Sequence, residues 1–268
     1  MILQVSDAGF SYDGRRSIFE GISFSLDTGE CLCILGPNGT GKSTLIKCLL
    51  NLLPLGQGCI QLAGEEIADL SRTEIAKKIA YVPQSHQIVF PFTVGELVLM
   101  GRTPHLPAFA GPGKSDSTTV QAALETVGIA HLAERPVSDI SGGELQLALI
   151  ARAVAQQPEI LILDEPTSHL DFGNQIRVLQ LIDRLARNGI GVIMTSHFPD
   201  HSFVVRQTVA IMKGGNFIAV GPPEEVLTPQ NLGEAYGIDV AVPYVTEAGR
   251  QACVPKIILK EKGPGFIP

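Results

Sequence analysis

The sequence feature that most constrains this chain is a glycine-rich stretch between two apolar segments. It follows the pattern of Gly, four variable positions, Gly, Lys and then Ser or Thr. Residues 31–35 before it are typical of a buried strand, and residues 45–50 after it are typical of a helix. Strand, glycine-rich loop and helix are the context in which this pattern binds phosphate. The stretch consists of Gly36, Pro37, Asn38, Gly39, Thr40, Gly41, Lys42, Ser43 and Thr44.

The residue types in this stretch explain phosphate binding. Gly36, Gly39 and Gly41 lack a Cβ, so the backbone can curl and direct its N–H groups at a ligand. These N–H groups and the helix N-terminus behind them form a positively polarised nest that suits a polyphosphate. We expect Lys42 to reach the β- and γ-phosphates and the Ser43 hydroxyl to ligate Mg²⁺. The alternative, a glycine-rich turn without a ligand, does not account for the flanking strand and helix.

Composition narrows the class of protein. The 268 residues suffice for one or two domains with a sizeable core, and the net charge of −7 argues against a nucleic-acid-binding surface. No apolar run approaches the ~20 residues of a membrane span, and the N-terminus does not resemble a secretory signal. We therefore expect a cytosolic chain. The cysteines are odd in number and lack metal-site spacing, so we interpret them as small buried hydrophobes: Cys31, Cys33, Cys48, Cys59 and Cys253.

Alternating strand and helix patterns predict a mostly parallel sheet covered on both faces. Ser71 and Glu74 have the spacing of a capping box, which predicts a helix over residues 71–78. Residues 93–157 show no strand pattern and read as a helical insertion, with helices at 94–100, 117–127 and 142–156 and a loop at 101–114. A further helix is predicted at 172–188. The predicted strands are residues 2–10, 21–27, 31–35, 58–62, 79–82, 160–163, 191–195, and a hairpin of 207–213 with 217–220.

An acidic pair, Asp164 and Glu165, follows the apolar strand at 160–163. Ligands of open α/β sheets bind at this carboxyl edge. Asp164 is the candidate for holding Mg²⁺, and Glu165 is then placed to orient or deprotonate an attacking water. His197, after the strand at 191–195, could reach the γ-phosphate. Taken alone, the acidic pair could equally be a solvated strand end.

Ser141, Gly142 and Gly143 precede another helix and form a second anion-binding arrangement. Glu144 lies three residues after Ser141, so a plain helix cap is the alternative.

Together these motifs resemble the ATP-binding cassette (ABC) ATPases over residues 1 to about 230. The resemblance implies an α/β fold of the P-loop NTPase type, with a RecA-like core, an N-terminal antiparallel β subdomain and an inserted α-helical subdomain. It implies an ABC ATPase domain over residues 1–237, with the helical subdomain at about 93–157. The remaining tail, 238–268, could form a short strand pair that packs on a dimer partner.

The resemblance also implies roles for single residues. From its position alone, Tyr12 would be a packing or surface tyrosine. In the resemblance it matches the residue that stacks on adenine. Gln84 matches the glutamine switch, which contacts Mg²⁺ or water and faces the membrane partner. The implied catalytic set is Lys42, Gln84, Glu165 and His197, and the implied metal set is Ser43, Gln84 and Asp164. The remaining implied ATP contacts are the signature residues Ser141, Gly142 and Gly143, with Asp171 in the loop 168–171 that crosses between protomers.

In this family two cassettes pair head to tail, so the signature of one faces the γ-phosphate held by the other. The resemblance therefore implies a second copy of the chain as partner, and ATP with Mg²⁺ as cofactors. The signature departs from the usual residues at Glu144, where Gln is common, and at Leu145, where Arg is common. These departures bear on how the signature helix is coupled to the partner. Because Ser141 and the two glycines are present, ATP use is still expected.

Residues 100–105 resemble those of ATPases that serve importers of iron-siderophore, haem, cobalamin or molybdate. This implies membrane permease subunits as partners, a substrate-binding protein as an indirect partner, no nucleic acid, and a peripheral position at the cytoplasmic face of the membrane. The segment 84–92, with part of the helical insertion, is expected to contact the permease. The alternative is a soluble ABC ATPase that acts in cofactor assembly without a permease.

Overall fold

The computed structural model describes residues 1–84, 91–107, 111–205 and 208–256. The strands in these ranges are β1 Leu3–Ser11, β2 Ser17–Leu26, β3 Cys31–Leu35, β4 Gln57–Leu62, β5 Glu65–Glu66, β6 Ile79–Val82, β7 Ile160–Leu163, β8 Gly191–Ser196, β9 Thr208–Lys213, β10 Asn216–Gly221, β11 Val240–Ala241, β12 Tyr244–Val245, β13 Arg250–Gln251 and β14 Val254–Pro255. The α-helices are α1 Lys42–Leu49, α2 Arg72–Lys78, α3 Val94–Leu99, α4 Lys114–Val127, α5 Gly142–Ala155, α6 Phe172–Arg187, α7 Asp200–Val205, α8 Pro223–Val226 and α9 Pro229–Tyr236.

The N-terminal strands form an antiparallel sheet in the order β2-β1-β4-β5. β2 begins at Ser17, four residues before the predicted strand, because its first residues continue the pairing with β1 and place Phe19 opposite Phe10. The apolar face of this sheet, which includes Leu3 and Ile22, packs with α1 side chains in one core cluster.

A six-stranded sheet in the order β10-β9-β3-β8-β7-β6 forms the centre of the fold. Its strands are parallel except for the antiparallel hairpin of β9 and β10. Leu32 and Ile34 of β3 belong to the cluster shared with α1, whereas Cys33 and Leu35 belong to the cluster that contains α5 and α6 side chains. The prediction of a mostly parallel sheet covered on both faces is therefore confirmed.

This strand order brings loops that are distant in sequence to one edge of the sheet. β3, β8, β7 and β6 are successive neighbours, and their carboxyl ends lead into Gly36, His197, Asp164 and Gln84. In parallel sheets this edge is where ligands bind. The candidate site is thus assembled by topology as well as by local sequence.

Between β6 and β7 the described residues form helices joined by turns, with an isolated β-bridge between Thr93 and Pro136. A buried ion pair explains why two helix positions differ from the prediction. A 3₁₀ helix, Met100–His105, occupies part of the predicted loop, and α4 begins three residues earlier than predicted. Arg102 donates from Nε to Asp116 Oδ1 at 2.9 Å and from Nη1 to the Ala155 carbonyl at 2.8 Å. Asp116 also accepts from the Gly113 N–H at 2.9 Å, which stabilises the first turn of α4.

The last described residues pack on their own chain. β11 pairs with β14 and β12 with β13, so residues 240–255 contain two short antiparallel pairs. Asp200 Oδ1 at the start of α7 accepts from the Cys253 N–H at 3.1 Å and from Arg250 Nη1 at 3.5 Å. Residues 85–90, in the segment expected to contact a permease, and the tail residues 257–268 lie outside the described residues.

Within the described residues, no disulfide bond joins the cysteines. Cys31, Cys33 and Cys48 are buried, as predicted, and burial raises the pKa of Cys33 to about 12 and that of Cys48 to about 11. Cys59 and Cys253 are only partly buried, so for these two the prediction was wrong. Cys59 lies on β4, where the sheet has one face outside the core, and Cys253 lies in the tail.

Candidate nucleotide-binding site

The phosphate loop runs from the end of β3 to the start of α1, and two of its glycines are required by close backbone approach. A Cβ on Gly36 would lie 2.4 Å from the Met212 carbonyl oxygen on β9. A Cβ on Gly41, whose φ is +105°, would lie 3.1 Å from the Ile18 carbonyl oxygen on β2. The loop therefore lies between the two sheets, and side chains at these two positions would collide with the neighbouring backbone.

Lys42 is the first residue of α1, and its side chain is turned back into the loop. The residue is 5% exposed, and Nζ donates to the carbonyls of Gly36 at 2.7 Å and Pro37 at 3.0 Å. Nζ also lies 4.0 Å from Glu165 Oε1. Burial lowers the pKa of Lys42, and the neighbouring Glu165 and Asp164 carboxylates oppose that shift. A buried cation with these partners suits a site for anionic groups.

The two carboxylates are buried directly after β7 and are held by a residue that the sequence patterns did not single out. Thr195 Oγ1 donates to Asp164 Oδ1 at 2.6 Å and accepts from the Glu165 N–H at 2.8 Å. Glu165 has a φ of +48°, a conformation that costs on the order of 1–3 kcal/mol for a residue other than glycine. Thr195 is 0% exposed in the structure. The signal available in the sequence was a threonine next to the last residue of a strand that is otherwise apolar up to that point.

Gln84 and His197 converge on the same carboxylate oxygen. Gln84 Nε2 donates to Glu165 Oε2 at 2.8 Å, and His197 Nδ1 lies 3.4 Å from that oxygen. Within the described residues, His197 Nδ1 has no partner with hydrogen-bond geometry. The structure thus brings Lys42, Gln84 and His197 around Glu165, as a joint site requires.

Lys42, Gln84 and Glu165 border a cavity of about 350 Å³ at the mouth of the phosphate loop. It is lined by Ile18, Asn38, Gly39, Gly41, Lys42, Ser43, Thr44, Gln84 and Glu165. Tyr12 is 62% exposed, and its hydroxyl lies 3.5 Å from Thr44 Oγ1. Its ring meets Phe10 edge-on at 4.9 Å between centroids.

The second predicted anion site is built differently. Ser141 Oγ accepts from the Glu144 N–H at 3.3 Å, and Glu144 Oε2 accepts from the Ser141 N–H at 2.8 Å, which is a complete capping box on α5. These bonds to Ser141 lower the pKa of Glu144. Ser141 and Gly142 are exposed, and the described lining of the cavity does not include them.

Asp171 caps helix α6 and is connected to the Ser141 turn through Asn174. It accepts from the Asn174 N–H at 2.9 Å and from Asn174 Nδ2 at 2.7 Å. The Asn174 side chain in turn packs so closely on Gly143 that a Cβ there would lie 2.6 Å from Asn174 Cγ. The structure therefore brings Ser141, Gly143 and Asp171 together as a second cluster, with Asn174 as the contact that the sequence patterns missed.

The family model described as "ABC transporter" matches residues 19–168, which is more than half of the chain. The chain belongs to the ABC transporter family. The resemblance drawn from the motifs and the predicted ABC ATPase fold are both confirmed, and the protein is an ATPase of this family.

Relatives of this ABC ATPase extend over nearly the whole chain. The iron(3+)-hydroxamate import ATP-binding protein FhuC of Bacillus subtilis is 35% identical and is aligned over 97% of both chains. The hemin import ATP-binding protein HmuV of Streptomyces coelicolor is 36% identical over 90% of this chain and 86% of its own. A structure of a metal-chelate type ABC transporter in an inward-facing conformation superposes with a TM-score of 0.85 at 33% identity, covering 96% of this chain and 98% of the other.

The donor set of this ABC ATPase fits Mg²⁺ that is shared with phosphate. Within the described residues, no three His, Cys, Asp or Glu side chains converge as a metal site. Mg²⁺ commonly takes one or two protein ligands, with phosphate oxygens and water completing its coordination. Ser43 lines the cavity, and Asp164 follows β7 at the same sheet edge, near enough to Lys42 to act on its pKa, which is consistent with such a shared site. Among the helices that the structure describes, none combines the length and the apolar composition of a membrane-spanning segment.

Proposed function

We propose that this protein is the ATP-hydrolysing subunit of an ABC importer, working as a head-to-tail dimer docked on membrane permease subunits at the cytoplasmic face. The observation that carries the hydrolytic part is the convergence of Lys42, Gln84 and His197 on the Glu165 carboxylate beside the phosphate loop. The import part rests on relatives whose names describe import of iron-hydroxamate, hemin and molybdate.

In this proposal the phosphate loop holds the polyphosphate of ATP. Its backbone N–H groups and the α1 N-terminus face the phosphates, and Lys42 exchanges its two carbonyl partners for β- and γ-phosphate oxygens. Ser43, Asp164 and Gln84 would hold Mg²⁺, which would supply positive charge beside the phosphates. Tyr12, exposed beside Thr44, stacks on the adenine.

Glu165 is the proposed general base. Its backbone is fixed by Thr195, and its carboxylate is oriented by Gln84 and by the Lys42 ammonium. A carboxylate held in this way can orient the attacking water and take its proton. His197, on the adjacent strand end, contacts the γ-phosphate.

The second half of the composite site is supplied by another copy of the chain. Ser141, Gly142 and Gly143 would face the γ-phosphate of the partner, and Asp171 would lie at the same interface. The exposure of Ser141 and Gly142 supports this role in trans. The transported substrate is proposed to be a metal chelate or an oxyanion, and a substrate-binding protein is the expected indirect partner.

The test of the hydrolytic part is Glu165→Gln, with Glu159→Gln as its matched control. Glu159 precedes the same strand at its opposite end and is exposed. We expect Glu165→Gln to lower kcat by about 10²–10⁴-fold while ATP binding is retained and an ATP-bound dimer accumulates. The control should hydrolyse ATP normally. A near wild-type rate in Glu165→Gln would show that the base is assigned wrongly.

The test of the transport part is affinity purification of the tagged protein from detergent-solubilised membranes, followed by mass spectrometry. We expect a polytopic permease to be recovered, and its identity narrows the substrate. If only soluble proteins are recovered, from membranes shown to retain intact permeases, the importer role is wrong and the cofactor-assembly alternative takes its place.

A further inference from the structure

Beside the proposed site lies a buried histidine to which the mechanism above gives no role. His201 is on α7, four residues after His197, and is 7% exposed. Burial, with a smaller contribution from His197, lowers the pKa of His201 to about 4. The ring is therefore neutral near pH 7, and one of its nitrogens is a hydrogen-bond acceptor.

That ring links two loops of the site through hydroxyl groups. His201 Nδ1 lies 3.0 Å from Ser196 Oγ and 3.3 Å from Thr167 Oγ1. Ser196 immediately precedes His197, and Thr167 follows Glu165 by two residues. One nitrogen thus contacts both the loop that carries the proposed base and the loop that carries the proposed γ-phosphate ligand.

The hydroxyl groups beside the ring form a network around Nδ1. Ser196 Oγ accepts from the Phe198 N–H at 3.0 Å and can donate either to the Phe198 carbonyl at 3.4 Å or to His201 Nδ1. A neutral imidazole nitrogen accepts a hydrogen bond or donates one, so Nδ1 pairs with these hydroxyls in either tautomer. A phenyl ring of similar size would fill the space without this nitrogen.

Ring packing gives a second connection between the two histidines. The Phe198 ring lies 4.0 Å from the His197 ring and 5.0 Å from the His201 ring, measured between centroids. Phe198 is itself 41% exposed. His201 therefore supports the inner side of the ring against which His197 rests.

We propose that His201 is a positioning residue for ATP hydrolysis, which holds the loop of His197 in register with the loop of Glu165. This inference rests on the proposed function, because it requires His197 and Glu165 to act at the γ-phosphate. His201 itself acts through Ser196, Thr167 and Phe198 and does not contact the nucleotide.

The experiment compares His201→Phe, which keeps an aromatic ring and removes Nδ1, with His201→Asn, whose side-chain amide can take over the hydrogen bonds of Nδ1. We expect His201→Phe to lower kcat by roughly 3- to 10-fold, the effect of one or two lost hydrogen bonds, with the Kd for ATP unchanged. His201→Asn should restore most of the rate. Thr167→Val removes one hydroxyl partner of Nδ1 without changing the size of the side chain, and it should also lower kcat. This variant serves as the test if the histidine variants fold poorly.

A double-mutant cycle separates positioning from general stability. His201→Phe should cause no further loss in a His197→Ala background, because both changes then affect one interaction. Phe203→Leu, a buried change on the same helix, serves as the control, since it should lower Tm while leaving kcat intact. Additive losses in the cycle, or no rescue by His201→Asn, would reduce His201 to a structural residue.

The outcomes also distinguish this inference from the proposed function. If His201→Phe and Thr167→Val hydrolyse ATP at the wild-type rate while Glu165→Gln and His197→Ala do not, the positioning role is wrong and the proposed function stands. If Glu165→Gln and His197→Ala also retain the wild-type rate, the proposed function fails, and the inference fails with it.

Discussion

Two glycine-containing turns of this protein begin helices, and they differ in what satisfies their first backbone N–H groups. At the phosphate loop, Gly41 is the N-cap of α1, and within the described residues no side chain caps that helix. At the second turn, Ser141 and Glu144 form a capping box on α5. An uncapped helix N-terminus leaves donors for a ligand, whereas a capped one has already used part of its capacity.

Their surroundings differ in the same sense. The phosphate loop borders a cavity that is also lined by Lys42, Gln84 and Glu165. The Ser141 turn is exposed and gains its neighbours from α6 through Asn174. This difference supports the proposal that the first turn binds its ligand within its own chain and that the second turn acts only when another copy of the chain faces it.

The strongest test of this comparison is removal of the phosphate-loop cation. Lys42→Ala should abolish measurable hydrolysis, with a loss of at least about 10²-fold, because a charged donor to the phosphates is removed from a buried site. The matched control is Lys47→Ala, an exposed lysine on the same helix. ATP titration and steady-state phosphate release measure the effect. Full binding and activity in Lys42→Ala would contradict the assignment of the loop.

The next test asks whether the second turn acts in trans. Ser141→Arg should weaken ATP-dependent dimer formation by roughly 10²-fold, because an unpaired charge buried in an interface costs about 3 kcal/mol. Nucleotide binding to the monomer should be unchanged. Size-exclusion chromatography in a Glu165→Gln background measures dimerisation, and Ser115→Arg on the exposed side of α4 is the control. Loss of monomeric binding would instead place the turn in the site of its own chain.

A smaller effect separates the two glycines of the second turn. Gly143→Ala should lower stability by about 1–3 kcal/mol, because its Cβ would meet the Asn174 side chain at 2.6 Å. A Cβ on Gly142 would have no neighbour within 4 Å in the described structure, so Gly142→Ala should keep the stability or raise it by up to about 1 kcal/mol. Urea unfolding measures both.

The Gly142 variant is then informative about function. A fall in ATPase rate in stable Gly142→Ala would report contact with the nucleotide of the partner. Adding Asn174→Ala to Gly143→Ala should recover part of the lost stability. Equal stability of the two single glycine variants would show that Asn174 does not constrain the turn.

The smallest expected effect concerns the charge of the cap. The folded pKa of Glu144 is lowered, so the carboxylate stabilises the fold above the ordinary glutamate pKa of 4.5. That stability is lost as pH falls through the lower folded value. Glu144→Gln should therefore lower Tm slightly at neutral pH and not in acid, with little change in ATPase rate. A difference in Tm that persists in acid would show that the charge is not its cause.

Local sequence patterns predicted the two turns well because each is a contiguous motif. The phosphate loop, the strand ends at Asp164 and His197, and the Ser141 cap depend on residues within a few positions of one another. The contacts that were not predicted join residues distant in sequence. Thr195 reaches Asp164 only through the register of two parallel strands, and Asn174 reaches Gly143 only through packing of α5 against α6.

The same distinction explains errors in the helical region. The start of α4 depends on Asp116, whose partner Arg102 is placed by contact with the end of α5. No periodicity in residues 114–117 reports that contact. The roles of Tyr12 and Asp171 stay predictions.

The position of β6 at the edge of the six-stranded sheet gives the site an uneven local stability. β6 is paired with β7, whereas β3, β7 and β8 each have a strand on both sides. Amide hydrogens exchange through local opening, and edge elements open at a lower free-energy cost than central ones. Gln84 lies just beyond β6, so it belongs to the part of the site that opens most readily, while the phosphate loop and Glu165 follow central strands. Hydrogen exchange should therefore be fastest at the strand end that leads to Gln84 and slowest in β3.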